Sequence, residues 1–555
     1  MTTAPTLDRP PDAVHDRRWV ILGVLCLSLL LIVMDNTIVN VALPTIQRDL
    51  DASTSDLQWI VDAYVLVFAG LLLTAGALGD RFGRRGALSA GLVIMGVAAG
   101  LSALADDPAQ LVATRAVMGI GGALVMPATL SILTNVFADA KERAQAIAIW
   151  AGTAGIAVAL GPITGGWLLE HFWWGSVFLL NIPVVVVALL AGKLLVPTSR
   201  DPSSARFDPV GAVLSIAGLV TLVWSIISAG EHGWTDPVVL AGYAAAAALI
   251  VAFVVWERRT PSPMLDVSVF ANRRFSAASA AITLTFFSLI GAFFLITQYL
   301  QFVLDYTPLQ AGIRLLPMAA VMMVVSGASA KIVEAVGTKF VVGAGLIIAA
   351  VGLALGSLLT PGSSYLEVVG MLVVLSLGMS LTMAPATESI MGSLPPAKAG
   401  VGSAVNDTTR ELGGALGVAV LGSVLSSAYA SKLIDALAGM PVPAGTAEVA
   451  SEQLGAALGI AEQVGGAPGA ALAGAARTAF VDGMGTSLLV GAAVAVLGAV
   501  AVFAYLPGRA AAPVSSTERA EADEADEADE ADEAVRRGSG DPGSEPDLEP
   551  APARA

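Results

Sequence analysis

From Arg18 to Tyr505 the chain repeats one pattern, an apolar run of about 20 residues followed by a short break carrying charge, glycine or proline. A helix of that length spans about 30 Å, the thickness of a bilayer core, whereas barrel strands need only about ten alternating residues. The pattern predicts an all-α polytopic membrane protein. Cutting at the breaks gives fourteen spans. Eight lie near residues 18–44, 57–79, 86–105, 110–132, 143–169, 174–196, 208–230 and 238–256. Six follow near 275–303, 311–335, 339–360, 365–391, 399–430 and 479–505. The first run is too long for a signal-peptide core and lacks a small-residue cleavage site, so the first helix is expected to stay.

Lysine and arginine played no part in choosing these spans, and they test them. With the N-terminus on the cytoplasmic side, eighteen basic residues fall on inward segments up to Lys398, against four on outward ones. Five more follow the last span, and Arg115 and Arg410 lie inside spans. An even number of crossings with both termini in the cytoplasm fits this imbalance. The most polar interior breaks, Leu195 to Asp208 and Glu257 to Phe275, divide the helices as six, two and six. Outside, the segment at about 431–478 is rich in alanine and glycine and predicts short amphipathic helices over the outer mouth.

Composition agrees with the pattern: 55% hydrophobic, 13% charged, and a mean hydropathy of +0.76 over 555 residues. The net charge of −16 belongs mainly to a tail, since Ala510 to Ala555 holds fourteen acidic residues against four arginines. That stretch, with "ADEADEADEADE", solvates itself and buries nothing, so it predicts disorder. One cysteine, Cys26, excludes an internal disulfide, and His15, His171 and His232 show no metal-ligand spacing. No GxxxxGK[ST] loop is present to cradle ATP phosphates. No cofactor, metal, catalytic residue or nucleic-acid partner is expected.

Two motifs carry mechanical information. In "GALGDRFGRR", Gly76 to Arg85, Gly79 is expected to end the second helix and Gly83 to take a turn with positive φ. Asp80 then pairs with Arg84 or faces a helix N-terminus across a bundle interface, with Arg81 and Arg85 adding charge. Such a clasp can break as bundles rock; simple orienting charge is the competing reading. The last six helices hold a degenerate echo, "GASAKIVEAVGTK". In "GPITGGW", Pro162 removes a helix hydrogen bond while Gly161, Gly165 and Gly166 admit a neighbouring helix, which describes a packing hinge.

Together "MDNTIVNVALP" (34–44), "GALGDRFGRR" (76–85), "RAVMGIGGA" (115–123), "GPITGGW" (161–167) and "YLQFVLDYTPLQAGIRLLP" (299–317) resemble the 14-helix drug:proton antiporters of the major facilitator superfamily. The resemblance spans nearly the whole chain up to Tyr505. It implies the major facilitator fold, two six-helix bundles with two helices inserted between them, and alternating access driven by inward proton flow. It also implies that Gly161 and Pro162 begin the antiporter signature, although the family's upstream glycines are replaced by Ala148 and Ala157. On that architecture, residues 1–17 are a cytoplasmic N-terminus, 18–196 the first bundle, and 197–274 a linker carrying helices seven and eight. Residues 275–505 form the second bundle, and 506–555 the acidic cytoplasmic tail.

Charges inside the spans can be placed by depth from the helical rise. Asp35, Asp62 and Arg115 all fall in the outer half, on helices one, two and four. A charge there costs about 2.5–3.5 kcal/mol on insertion scales, so it faces a cavity or a partner. In the resembling family the first-helix acid and fourth-helix arginine are linked to proton coupling or drug recognition. The expectation is that Asp35 titrates, Arg115 tunes it, and Asp62 is a second acid open to the outer vestibule. The alternatives are a structural ion pair for Asp35 and a rim carboxylate for Asp62.

A second cluster, "NDTTRELGG", puts Asp407, Arg410 and Glu411 on one face of helix thirteen, as an ion pair or as a substrate site. Asn36, Asn40, Trp59, Tyr64, Gln298 and Gln301 either line a cavity or pack between helices. The expected activity is export of lipophilic or cationic drug-like compounds across the cell membrane in exchange for protons. The partners are then a small molecule, protons and lipid, in a chain compatible with a monomer. Export of one endogenous compound, such as a self-made antibiotic, siderophore or lipid, is the alternative cargo. A passive channel would not need a titratable Asp35, and an enzyme would need convergent polar ligands.

Overall fold

The computed structural model describes residues 16–137, 139–198, 208–394, 399–438 and 446–506. The expectations for the acidic tail and for most of the N-terminal segment lie outside these residues. Each expected span is a helix: α1 Arg18–Leu50, α2 Thr54–Phe82, α3 Arg84–Ser102, α4 Pro108–Val136 and α5 Ala140–His171. Next come α6 Ser176–Leu195, α7 Pro209–His232, α8 Pro237–Arg259 and α9 Arg273–Val303. Then α10 follows in two pieces, Pro308–Arg314 and Leu316–Val336, with α11 Thr338–Gly356, α12 Tyr365–Met391 and α13 Ala399–Leu437. Two short helices, α14 Thr446–Glu452 and α15 Leu454–Val464, precede α16 Gly466–Tyr505. Thirteen helices among the described residues are long and apolar enough to cross a membrane. The 32-residue α5 is the fifth long helix in chain order.

Local chemistry explains where these helices start. Three begin at an Asp-Pro step, where the aspartate accepts backbone N–H groups and proline occupies a position that needs no donor. Asp107 caps α4 through Ala109, Asp208 caps α7 through Gly211, and Asp236 caps α8 through Val238 and Val239. Capping boxes start α2 (Ser53 with Asp56) and α10 (Thr307 with Gln310).

The packing scheme repeats. In the first six helices α1 packs on α5, α4 on both α2 and α3, and α3 on α6; in the last group α9 packs on α13, α12 on both α10 and α11, and α11 on α16. The echo between "GALGDRFGRR" and "GASAKIVEAVGTK" has the same geometric basis. Gly83 (φ 119°) joins α2 directly to α3, and Gly337 (φ 94°) joins α10 directly to α11. Gly79 does not end α2 as expected; the helix runs on to Phe82, because the conformation that breaks it belongs to Gly83, whose N–H still reaches the Gly79 carbonyl.

The pair α7 and α8 packs together, and α7 packs against α2 and α13. Only 17% of the apolar window of α8 is buried, as for a helix bathed in lipid. The segment at 431–478 holds two short helices, α14 and α15, but they occupy less of it than expected, because α13 continues to Leu437 and α16 begins at Gly466. Apolar spans end where hydropathy falls, but nothing in an Ala-rich stretch ends the helix there.

Candidate functional site

Two charges of the first six helices, Asp35 and Arg115, sit in one buried network. Asp35 on α1 is 2% exposed and Arg115 on α4 is 0% exposed, and Arg115 Nη1 donates to Asp35 Oδ2 at 2.5 Å. The other oxygen, Asp35 Oδ1, accepts from Asn181 Nδ2 on α6 at 2.7 Å. Arg115 Nε donates to the Ile60 carbonyl of α2 at 3.0 Å, and its guanidinium lies 4.5 Å from the ring centroid of Tyr64. Four helices thus meet at one neutral pair. Fully hydrogen-bonded pairing of this kind is what lets two charges remain away from water.

Asn181 was not singled out from the sequence. Its signal was available, as the single amide in the apolar run "SVFLLNIPVVVV". Asp62 differs from expectation in another way: it is 0% exposed rather than open to a vestibule. Neither of its carboxyl oxygens has a hydrogen-bond partner among the described residues. An isolated carboxylate there would carry a desolvation cost of several kcal/mol, which its neutral form avoids. The arrangement therefore offers one compensated acid, Asp35, and one acid without compensation, Asp62.

A layer of contacts closes the side on which α1 ends. Gln58 of α2 donates to the Val418 and Ala419 carbonyls of α13 at 3.0 and 2.9 Å. Gln301 of α9 donates to the Val41 carbonyl of α1 at 2.9 Å. The hinge motif belongs to the same layer. Gly161 and Gly165 lie against Thr37 and Ile38 of α1, whereas Gly166 lies against Pro308 and Leu309 of α10 and the Pro162 carbonyl lies against Gly312. Three close glycine approaches on α5 therefore serve two partners, one from each set of six helices.

The loop after α2 is tied within the first six helices. Arg84 Nη1 donates to the Ser131 carbonyl near the end of α4, and Arg85 Nη1 to the Val196 carbonyl after α6, at 3.2 and 3.3 Å. Cations at helix C-termini are favoured by the helix dipole. The Asp80 side chain lies outside the described residues, as does that of Ala148; Ala157 is buried. Gly76 faces Pro127 of α4, while Arg81 is exposed at the end of α2.

The second cluster on α13 is held more loosely. Arg410 Nη1 stands 3.9 Å from Asp407 Oδ1, and Arg410 Nη2 donates to Thr387 Oγ1 of α12 at 3.2 Å. Asn406 Nδ2 donates to Asp407 Oδ1 at 3.4 Å, and the Arg410 guanidinium faces the Phe286 ring of α9. Glu411 is half-buried and makes no hydrogen bond among the described residues. Among the amides, Gln298 is buried and donates to its own helix at Phe294. Asn40 does the same at the Asn36 carbonyl, and Trp59 is half-buried against the core.

A profile of the Major Facilitator Superfamily matches residues 25–418. The multidrug efflux pump LfrA of Mycolicibacterium smegmatis is 39% identical over 505 residues, 90% of this chain and 97% of that protein. The tetracenomycin C resistance and export protein of Streptomyces glaucescens is 34% identical, covering 89% of this chain and 93% of that one. Among solved structures, an inward-facing, occupied bacterial homologue of the human lysosomal transporter Spinster superposes with a TM-score of 0.60 at 19% identity, over 88% of this chain and 96% of that one.

Proposed function

The chain belongs to the major facilitator superfamily, and on that premise we propose that it is a proton-coupled exporter of lipophilic or cationic drug-like compounds in the cell membrane. The observation that carries the proton half is the buried Asp35–Arg115 pair, together with a buried Asp62 on α2 that has no hydrogen-bond partner among the described residues. With the layer at Gln58 and Gln301 closed, Asp35 is neutralised by Arg115, and Asp62 holds a proton. Opening that layer admits water to both acids, and the proton balance between them shifts. The half-buried charges Asp407, Arg410 and Glu411 supply the polar wall for a substrate. The names of the relatives, an efflux pump and a resistance and export protein, support export of drug-like cargo.

This reading places both termini in the cytoplasm, so the closed layer faces outward. It treats 18–196 and 275–505 as rocking bundles joined by 197–274, with Gly161, Pro162, Gly165 and Gly166 as the packing hinge. The loop Gly76 to Arg85 acts as the inner gate. One specific compound as cargo is the second reading, favoured by the relative named for export of tetracenomycin C.

The test is substrate-induced proton movement in everted vesicles, comparing the native chain with Asp35→Asn and Asp62→Asn. Both substitutions are expected to abolish coupled proton movement, because a carboxamide cannot exchange a proton. Export that survives collapse of the gradient refutes antiport. Coupling that survives both substitutions refutes the site while leaving the transporter class standing.

A further inference from the structure

On the far side of the closed layer lies a cavity of about 700 Å³. Its floor is formed by Gln47 and Gln301, its wall by the start of α16, and its roof by α15. The roof is latched down. Gln47 Nε2 donates to Gln453 Oε1 at 2.6 Å, and Tyr429 OH on α13 donates to the Ala450 carbonyl of α14 at 2.9 Å.

The polar groups of this cavity are weighted to one side. Arg477 donates to both Asp305 oxygens and to the Phe302 carbonyl, whereas Arg48 donates one N–H to the Pro44 carbonyl, faces the Phe302 ring and makes no ion pair among the described residues. Against that one unpaired cation stand four acceptor groups. Gln47 and Gln301 are 2% and 7% exposed, and the side-chain oxygen of each has no partner among the described residues. Asp51, placed at the rim by the left-handed turn that ends α1 (φ 52°), and Glu462 on α15 make no ion pair among those residues. Leu458, Ile460 and Phe302 supply apolar surface between these acceptors.

We infer that this cavity is an exit chamber, a binding site for organic cations separate from the charges on α13. Two buried acceptor oxygens and two unpaired carboxylates favour a positive ligand and disfavour an anion of the same shape. The apolar walls match the body of a lipophilic cation. Because Gln301 also closes the layer through Val41, the floor of the chamber and the gate behind it are the same side chain. The inference rests on the export reading for its direction, and its test needs no proton gradient.

The test places a cysteine on the cap (Val449→Cys, an exposed position lining the chamber) in a Cys26→Ser background. Alkylation by a membrane-impermeant maleimide is timed on the full-length protein in intact cells with the gradient collapsed. Tetraphenylphosphonium is expected to slow labelling about tenfold when saturating, and its isostere tetraphenylborate to leave the rate unchanged. Protection is expected to persist in Asp407→Asn/Glu411→Gln and to require about tenfold more probe in Asp51→Asn/Glu462→Gln. Absence of protection, equal protection by the anion, or loss of protection in the α13 variant each overturns the chamber. None of these results bears on whether protons are exchanged, which the everted-vesicle measurement decides.

Discussion

The substitution Gly166→Ala adds one carbon at the contact between α5 and α10. That carbon would stand 2.7 Å from the Leu309 nitrogen and from the Pro308 oxygen, and closer still to Leu309 Cα. Ordinary contact begins at 3.4 Å, and the obstructing atoms are backbone, so no rotamer change relieves the overlap. The helices must separate by roughly 1 Å, at an overpacking cost of about 1–3 kcal/mol. If α5 and α10 part when the outer layer opens, the cost falls on the closed arrangement alone and favours the open one by about 5- to 150-fold.

A cysteine in place of Ala42, which is fully buried beside Val41, reports that opening through its alkylation rate from outside. In a Cys26→Ser background the rate is expected to rise by that factor in Gly166→Ala. The control is Gly152→Ala on the same helix, where an added carbon meets nothing within 4 Å. Equal rates in the two variants would refute the reasoning, since the overlap would then be absorbed without opening anything.

Three further outcomes follow from the geometry. Gln301→Leu removes the 2.9 Å bond to the Val41 carbonyl and leaves a buried acceptor. It is expected to cost the closed state about 1–3 kcal/mol, read with the same Ala42→Cys reporter. Asn181→Leu, close in volume, strips the 2.7 Å donor from Asp35. Thermal unfolding in detergent should then show a loss of about 1–3 kcal/mol, absent when Asp35→Asn is already in place. Gly83→Ala and Gly337→Ala each force a side chain into positive φ. Each is expected to cost about 1–2 kcal/mol, lowering the yield of folded protein in size-exclusion profiles by similar amounts.

Much of this was legible beforehand because a bilayer imposes a simple code. Hydropathy located the fourteen long helices to within a few residues at most ends, and the rarity of buried charge drew attention to Asp35, Asp62 and Arg115. Depth alone placed those three in one layer, but it did not show which pair would form. Arg115 has one carboxylate partner and reaches Ile60 and Tyr64 with the rest of its surface, so Asp62 is left over. That is a matter of which face each helix turns inward. Asn181 escaped notice because an amide raises no alarm in an apolar run. Its role is visible only once α6 is seen against α1. Alanine continues a helix as readily inside the membrane as outside it, so the ends of α13 and α16 were not readable.

The length of α13 has a mechanical consequence. At 39 residues it is a rod of about 58 Å, with Glu411 some 40 Å from its tip at Leu437. A tilt of about 5° pivoting near Glu411 therefore sweeps the tip through roughly 3.5 Å. Small angular adjustments around a cargo are magnified into displacements large enough for a fluorophore at the tip to register. On the proposed topology that tip lies outside the cell, which makes the helix a pointer readable from there.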